Sequence, residues 1–484
     1  MRRIQSFLLL PLILLASCFP SNLPADLEPS LPLEDCALTS PSGDQVDAQC
    51  GVLTVPEDRS NPDGRKIELH VAVIPAIKRE PEPDPLFLLA GGPGQSAIEA
   101  YPAMIPLMFQ IREDRDIVLV DQRGTGESNP LRCLDEDDSS LTEEQVLAKV
   151  KECPGTLDAD VRFYSTEIAM TDLDDVRAAL GYETINLYGA SYGTRAALTY
   201  LRMFPERVRT VTLDAVVDPE FVMFMDAAED GQAALDQFFA RCEKDEACKS
   251  AFPRLKSEFE SLLDRLDESP AEITIPHPIT NKPLELKVTR QFITNMVFNT
   301  LYVPELVAAL PLSIHAAYAD ENYVPLISQA FLVNANLYDG MFYAVTCTED
   351  APFVSVDEAE RRGEPTVFGG NRAVDFAEVC AQWQKGEVSP AFRAPVNSDV
   401  PALILSGGAD PITPPWHAEK VAQNLTNELQ VIFSGMGHGN LSSRCSTRIF
   451  QSFIESASID GLDVSCVEDI EPPPFFVDFS GPRP

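Results

Sequence analysis

The chain has 484 residues, 45% of them hydrophobic, and a formal net charge of −38 from 75 acidic and 37 basic side chains. Such a chain buries one large core or two modest ones, as a globular protein does. The negative field repels nucleic acid and anionic membrane surfaces, which excludes both as partners, while it tolerates cationic ligands.

The first element is a leader. Arg2 and Arg3 precede an apolar run from Phe7 to Leu15 that is too short to span a bilayer, and residues 1–17 read as a signal peptide. The run ends in Leu15-Ala16-Ser17-Cys18, which resembles the lipobox of bacterial lipoproteins. That resemblance implies an exported protein of the bacterial cell envelope, on the periplasmic or cell-surface side, touching the membrane only through a lipid on Cys18. Residues 18–35 hold four prolines and no periodicity, the composition of a flexible tether.

From residue 36 to 215, strand-like runs alternate with helical ones. Ile67–Ile74, Leu86–Leu89, Ile117–Val120, Ile185–Tyr188 and Val208–Leu213 read as strands. Thr171-Asp172-Leu173-Asp174 followed by Val176 to Leu180 reads as a capped amphipathic helix stopped at Gly181. Residues 216–395 change character. Helical stretches are expected at Ala227–Ala240, Leu255–Leu266, Thr289–Tyr302 and Pro304–Tyr318, with a β-like insert near Ala271–Lys287. From 396 to 470 the alternation returns: a strand at Ala402–Leu405, a helix near His417–Leu425, a strand at Leu429–Phe433 and a helix at Thr447–Ser456. Residues 471–484 form a Pro-rich tail. The fold class is therefore α/β: a mostly parallel sheet with helices on both faces, interrupted by a helical insertion that caps the strand ends.

Of eleven cysteines, Cys18 is assigned to lipid and ten remain. Pairing neighbours gives Cys36–Cys50, Cys133–Cys153, Cys242–Cys248, Cys347–Cys380 and Cys445–Cys466, five local disulfides suited to an oxidising compartment. With no CxxC pair and five histidines, a zinc cluster is not expected, and no metal or cofactor is assigned.

Chemistry concentrates around Gly189-Ala190-Ser191-Tyr192-Gly193, where a strand runs directly into a helix. A serine between small residues at such a turn fits a nucleophile elbow. Its hydroxyl needs a base, a carboxylate to orient the base, and donors for an oxyanion. Where the serine sits on such an elbow, the chain order is serine, acid, histidine. His70 precedes the elbow, His277 and His315 fall in the insertion, and His417 opens a helix as a surface or capping residue. His438 follows the strand 429–433 in a glycine-rich loop and is the expected base. Asp410, on the loop after Ala402–Leu405, lies 28 residues before it and is the expected acid. Asp214, after strand 208–213, is the competing acid. The strand Leu86–Leu89 runs into Gly91-Gly92-Pro93-Gly94. Pro93 has no N–H, so Gly92 is expected to supply the second oxyanion donor beside Tyr192. The segment Asp121-Gln122-Arg123-Gly124-Thr125-Gly126-Glu127-Ser128 reads as structural support, with Asp121 and Arg123 bracing the loop.

These motifs, in this order, resemble the proline iminopeptidase and tripeptidyl aminopeptidase branch of the α/β-hydrolases over about residues 36–470. The cysteines bracketing the last helix resemble the tripeptidyl aminopeptidase C-terminal domain. The resemblance implies Ser191, Asp410 and His438 as a triad, Gly92 and Tyr192 as oxyanion donors, and release of short pieces (tripeptides, or single residues such as proline) from a peptide's free amino terminus. Ala90 departs from the iminopeptidases, which carry histidine there. An aminopeptidase needs a carboxylate for the substrate amine, and Glu349 and Asp350, after Cys347, are the candidates. Two other readings remain open: an esterase or lactonase of the same fold acting on small esters, and an anchored binding protein with a vestigial triad, against which the complete set of residues argues. Oligomeric state is not legible.

Overall fold

The computed structural model describes residues 29–40, 43, 45–135, 143–276, 281–333 and 336–482. The leader, Cys18 and His277 lie outside them. Eleven strands occur among the described residues: β1 (Glu34–Thr39), β2 (Gln45–Pro56), β3 (Lys66–Ile74), β4 (Leu86–Leu89), β5 (Ile117–Val120), β6 (Ile185–Ala190), β7 (Val208–Asp214), β8 (Ala271–Pro276), β9 (Pro283–Val288), β10 (Ala402–Gly407) and β11 (Glu428–Phe433).

Every residue of Leu-Phe-Leu-Leu in β4 and Ile-Val-Leu-Val in β5 is buried, so both strands need cover on two faces. Nine strands supply one sheet in the order β1-β2-β3-β5-β4-β6-β7-β10-β11. From β5 to β11 all neighbours are parallel, and β1, β2 and β3 add an antiparallel edge. Alternate residues point to opposite faces. Phe87 and Leu89 pack with the helices Thr166–Ala179 and Tyr192–Met203. Leu86 and Leu88 pack with Phe450 and Phe453 of the helix Arg444–Ser456.

Between β7 and β10 the chain forms helices that include Ala227–Lys244, Leu255–Glu268, Arg290–Thr300, Pro304–Ala319, Asp339–Glu349 and Asn371–Cys380, with β8 and β9 as an antiparallel hairpin. Leu235, Phe259, Leu262, Leu310 and Ile314 give this region its own core. The C-terminal tail returns to it: Phe475 joins that core, and the Phe476 N–H donates to the Ala308 carbonyl.

Three expectations are corrected. The tether read over residues 18–35 is folded from Ser30, because the Ser30 and Leu31 N–H groups donate to the Ala179 carbonyl and Leu31 is buried. The helix read from Thr171 begins at Thr166, and the Thr171 hydroxyl donates to the Glu167 carbonyl inside it. Asp121 and Arg123 do not act together. Asp121 accepts from the Ser96 hydroxyl and the Ile98 N–H. Arg123, fully buried, donates to Asp172 and to the carbonyls of Pro56, Glu57 and Phe163. The structure contains all five neighbour-to-neighbour disulfides.

Candidate active site

β6 ends in the elbow. Ser191 has φ 56° and ψ −124°, a strained backbone for a side-chain-bearing residue, and caps the helix Tyr192–Met203. Two glycines make the turn possible. A Cβ at Gly189 would lie 2.2 Å from the Gly193 carbonyl oxygen, and one at Gly193 would lie 2.2 Å from that of Leu89. The Ser191 N–H donates to the Asp214 carbonyl, which ties the elbow to β7.

The loops after β10 and β11 bring the acid and the histidine together. Asp410 Oδ2 lies 2.8 Å from His438 Nδ1. The same oxygen accepts from the Thr413 hydroxyl, while Oδ1 accepts from the N–H groups of Ile412 and Thr413. Burial alone would raise Asp410; His438 and the two N–H groups outweigh it and hold the carboxyl below its ordinary value. Burial pushes His438 down, but the charges of Asp410 and Asp214 prevail and its pKa stands above the ordinary one. With Nδ1 committed to the carboxylate, Nε2 is the basic nitrogen. The His438 N–H donates to the Tyr302 carbonyl, so the cap also holds this loop.

The competing acid has a different task. Asp214 is buried and accepts from the N–H and side-chain amide of Asn440, the N–H of Leu441 and the Tyr188 hydroxyl. Burial raises its pKa despite those donors. Asp214 therefore anchors the strand end beyond His438, and Asp410 holds the imidazole.

Ser191, His438, Tyr192, Gly91 and Gly92 line one cavity of about 670 Å³. The Gly91 N–H donates to Gln95 Oε1, Pro93 has none to offer, and Gly92 lines the cavity beside Ser191. The Tyr192 N–H belongs to the first turn of its helix, where backbone N–H groups lack intrahelical partners. A hydroxyl, an oriented imidazole and backbone amides around one cavity are what acyl transfer requires.

Glu349 and Asp350 are corrected. Both are fully buried, and neither lines the cavity. Glu349 accepts from the Thr166 N–H and hydroxyl, and Asp350 takes both terminal nitrogens of Arg195 at 3.0 and 3.1 Å. Burial raises Glu349 to about 7 against the pull of Arg195 and Thr166. The Thr166 hydroxyl also meets the Tyr192 hydroxyl at 2.8 Å, so these acids stiffen the helix behind the elbow. His417 is likewise no surface residue. It is fully buried, with Nδ1 2.6 Å from Asp218 and Nε2 3.4 Å from Asp230 of the cap. Sequence reasoning missed Arg195 and Arg372 in the cavity wall, together with Met223, Phe224, Met296 and Phe342.

The fold is that of an α/β-hydrolase. Family comparison agrees: residues 84–268 match the alpha/beta hydrolase fold and residues 365–466 match the TAP-like protein family. The chain has the α/β-hydrolase fold and carries a TAP-like segment in its C-terminal part. It is 28% identical over 433 residues to serine protease Hip1 of Mycobacterium tuberculosis, covering 81% of each chain. It is 33% identical over 199 residues to tripeptidyl aminopeptidase of Streptomyces lividans, covering 35% of this chain and 36% of that one. It is 27% identical over 137 residues to proline iminopeptidase of Neisseria gonorrhoeae, covering 28% and 34%.

Asp214→Ala strips four donor groups of their buried acceptor. It is expected to lower the unfolding free energy by about 2–5 kcal/mol in a denaturant titration. A loss below about 0.5 kcal/mol would contradict the anchoring role.

Proposed function

We propose that the protein is a serine peptidase that opens short peptides through an acyl-enzyme. One observation carries the reading: Ser191, on its strained elbow, shares a cavity with His438, whose Nδ1 is held by Asp410. Ser191 Oγ attacks the carbonyl carbon while His438 Nε2 takes its proton. The Gly92 and Tyr192 N–H groups receive the oxyanion. His438 then returns the proton to the departing amine, and water, activated by the same imidazole, hydrolyses the ester on Ser191.

Relatives named serine protease and tripeptidyl aminopeptidase support peptides as the substrate class, and the cap over the cavity suits a chain end better than the middle of a folded protein. Recognition of a free amine is another matter. Glu349 and Asp350 are committed to Thr166 and Arg195, and the ionisable side chains that line the cavity are Arg195, Arg372, Tyr192, Tyr302 and His438. No carboxylate among the described residues lines the cavity to receive an ammonium. The apolar wall formed by Met223, Phe224, Met296, Phe331 and Phe342 equally favours the second reading, hydrolysis of small esters. N-acetylated and free forms of one short peptide are therefore expected to be cut at similar kcat/KM, both activities vanishing in Ser191→Ala. A preference for the free form above about tenfold would restore amine recognition, and turnover of esters alone would replace the peptidase reading.

The rate should fall with acidity. Because His438 stands above its ordinary pKa, protonation removes the base as pH falls through that raised value. The acid limb of kcat/KM is expected to have its midpoint above about pH 6.5. Asp410→Asn removes the charge that raises it, and should move the limb to lower pH while lowering kcat about 10³–10⁴-fold. A wild-type midpoint below about pH 6 would exclude His438 as the base.

We further place the protein outside the cytoplasm on a lipid anchor. The five disulfides support an oxidising compartment, and Leu15 to Cys18 supports lipidation. Cys18→Ser should transfer the protein from the membrane to the soluble fraction of cells, and an unchanged distribution would refute the anchor.

A further inference from the structure

The turn after β4 is gripped by the cap. Gly92 and Gly94 have φ of 105° and 100°, conformations that glycine adopts freely among several others, so the turn does not fix itself. Toward the core, Ser96 anchors its end through a bond to Asp121. Toward the cap, the segment 336–342 lies along it. Gln95 and Leu337 pair as an antiparallel bridge, and the Tyr338 N–H donates to the Gly94 carbonyl at 2.7 Å. The fit is close: a Cβ at Gly94 would stand 2.6 Å from the Tyr338 carbonyl oxygen, and one at Gly92 would stand 3.0 Å from the Leu337 side chain. Tyr338, which is buried, then reaches past the turn. Its hydroxyl donates at 2.8 Å to Oε1 of Glu99, in the short helix Ala97–Ala100 that follows the turn. Asn336 donates to Oε2 of the same carboxylate at 2.9 Å. Arg132 lies over the Tyr338 ring, 3.6 Å from its centre, and bonds to Asn336 at 3.3 Å.

One residue of the cap therefore holds the turn at two points, by its backbone at Gly94 and by its side chain at Glu99. An amide that is to meet an oxyanion must be fixed before the charge develops, because reorienting it during the reaction forfeits the stabilisation. The Gly92 N–H, which receives the oxyanion in the proposed reaction, sits in this turn. We propose that Tyr338, acting through Glu99, is a positioning residue that orients the oxyanion-receiving turn, so that the cap completes the catalytic machinery as well as covering it. This inference rests on the serine peptidase reading and adds a residue to it. Neither Tyr338 nor Glu99 lines the cavity, so loosening their bond should weaken the transition state while leaving substrate binding in place.

The test uses the purified full-length chain, one short peptide p-nitroanilide, and a peptide boronic acid whose tetrahedral adduct on Ser191 places an oxygen where the oxyanion forms. Tyr338→Phe keeps the ring beneath Arg132 and removes only the hydroxyl. It is expected to lower kcat about tenfold with KM within about twofold, a fraction of the roughly 10²–10³-fold cost of deleting an oxyanion donor outright. The boronic acid should bind about tenfold more weakly, because it mimics the transition state. Glu99→Gln keeps an oxygen for the hydroxyl and should stay within about twofold of the wild type in kcat, while Glu99→Ala should fall as Tyr338→Phe does. The two Glu99 variants carry the comparison if Tyr338→Phe does not fold. A kcat for Tyr338→Phe within about twofold of the wild type, a loss confined to KM, or an unchanged boronic acid affinity overturns the inference. Hydrolysis by the wild type that depends on Ser191 would then show that the peptidase reading stands while the inference falls. A wild-type protein that cleaves no peptide would sink both.

Discussion

A few backbone contacts too close for any side chain hold the site together. Gly189 and Gly193 let β6, the elbow helix and β4 meet, and the turn between them forces Ser191 to a positive φ. The same device recurs on the other side of the cavity. A Cβ at Gly407 would lie 1.9 Å from the Gly437 carbonyl oxygen, and one at Gly437 would lie 2.3 Å from that of Tyr302. The acid loop, the histidine loop and the cap are thereby pressed into one unit. The strain at Ser191 persists because the surrounding sheet and helix over-determine it. Polar ties complete the arrangement: Asp214 holds Asn440 and Leu441 beyond the histidine, and Asp410 is fixed by the N–H groups of Ile412 and Thr413.

Much of this was legible in the sequence because the signals are local. Fully buried parallel strands read as short apolar runs, so β4, β5, β6, β7 and β10 stand out, and Ala227–Lys244 and Pro304–Ala319 show helical periodicity. The meeting of Asp410 with His438 followed from two loops at the ends of adjacent strands. The edge strands β1 and β2 were not legible. Their buried positions alternate with exposed polar ones, and their place in the sheet depends on pairing with β3, which no local pattern announces.

The direction in which a polar side chain faces was also hidden. Glu349 and Asp350 end a helix after Cys347, and a rotation of about 100° per residue decides whether a carboxylate meets the cavity or the protein interior. Here both meet Thr166 and Arg195. His417 gave the same lesson, since its neighbours Asp218 and Asp230 are nearly two hundred residues away in the chain. Long-range partners turn what reads as surface charge into buried structure. They also leave the cavity wall with a character, apolar and basic, that the strongly acidic composition does not suggest.

The central claim is that Ser191 is the nucleophile and that His438, held by Asp410, draws its proton. The most direct measurement is to react the wild-type protein with a fluorophosphonate, map the adduct by peptide mass spectrometry, and follow its rate of formation against pH. The account predicts one adduct per chain, on Ser191, forming more slowly as acid protonates His438. An adduct on another residue, or a rate on Ser191 that ignores pH between about 5 and 8 where a histidine base titrates, would contradict it.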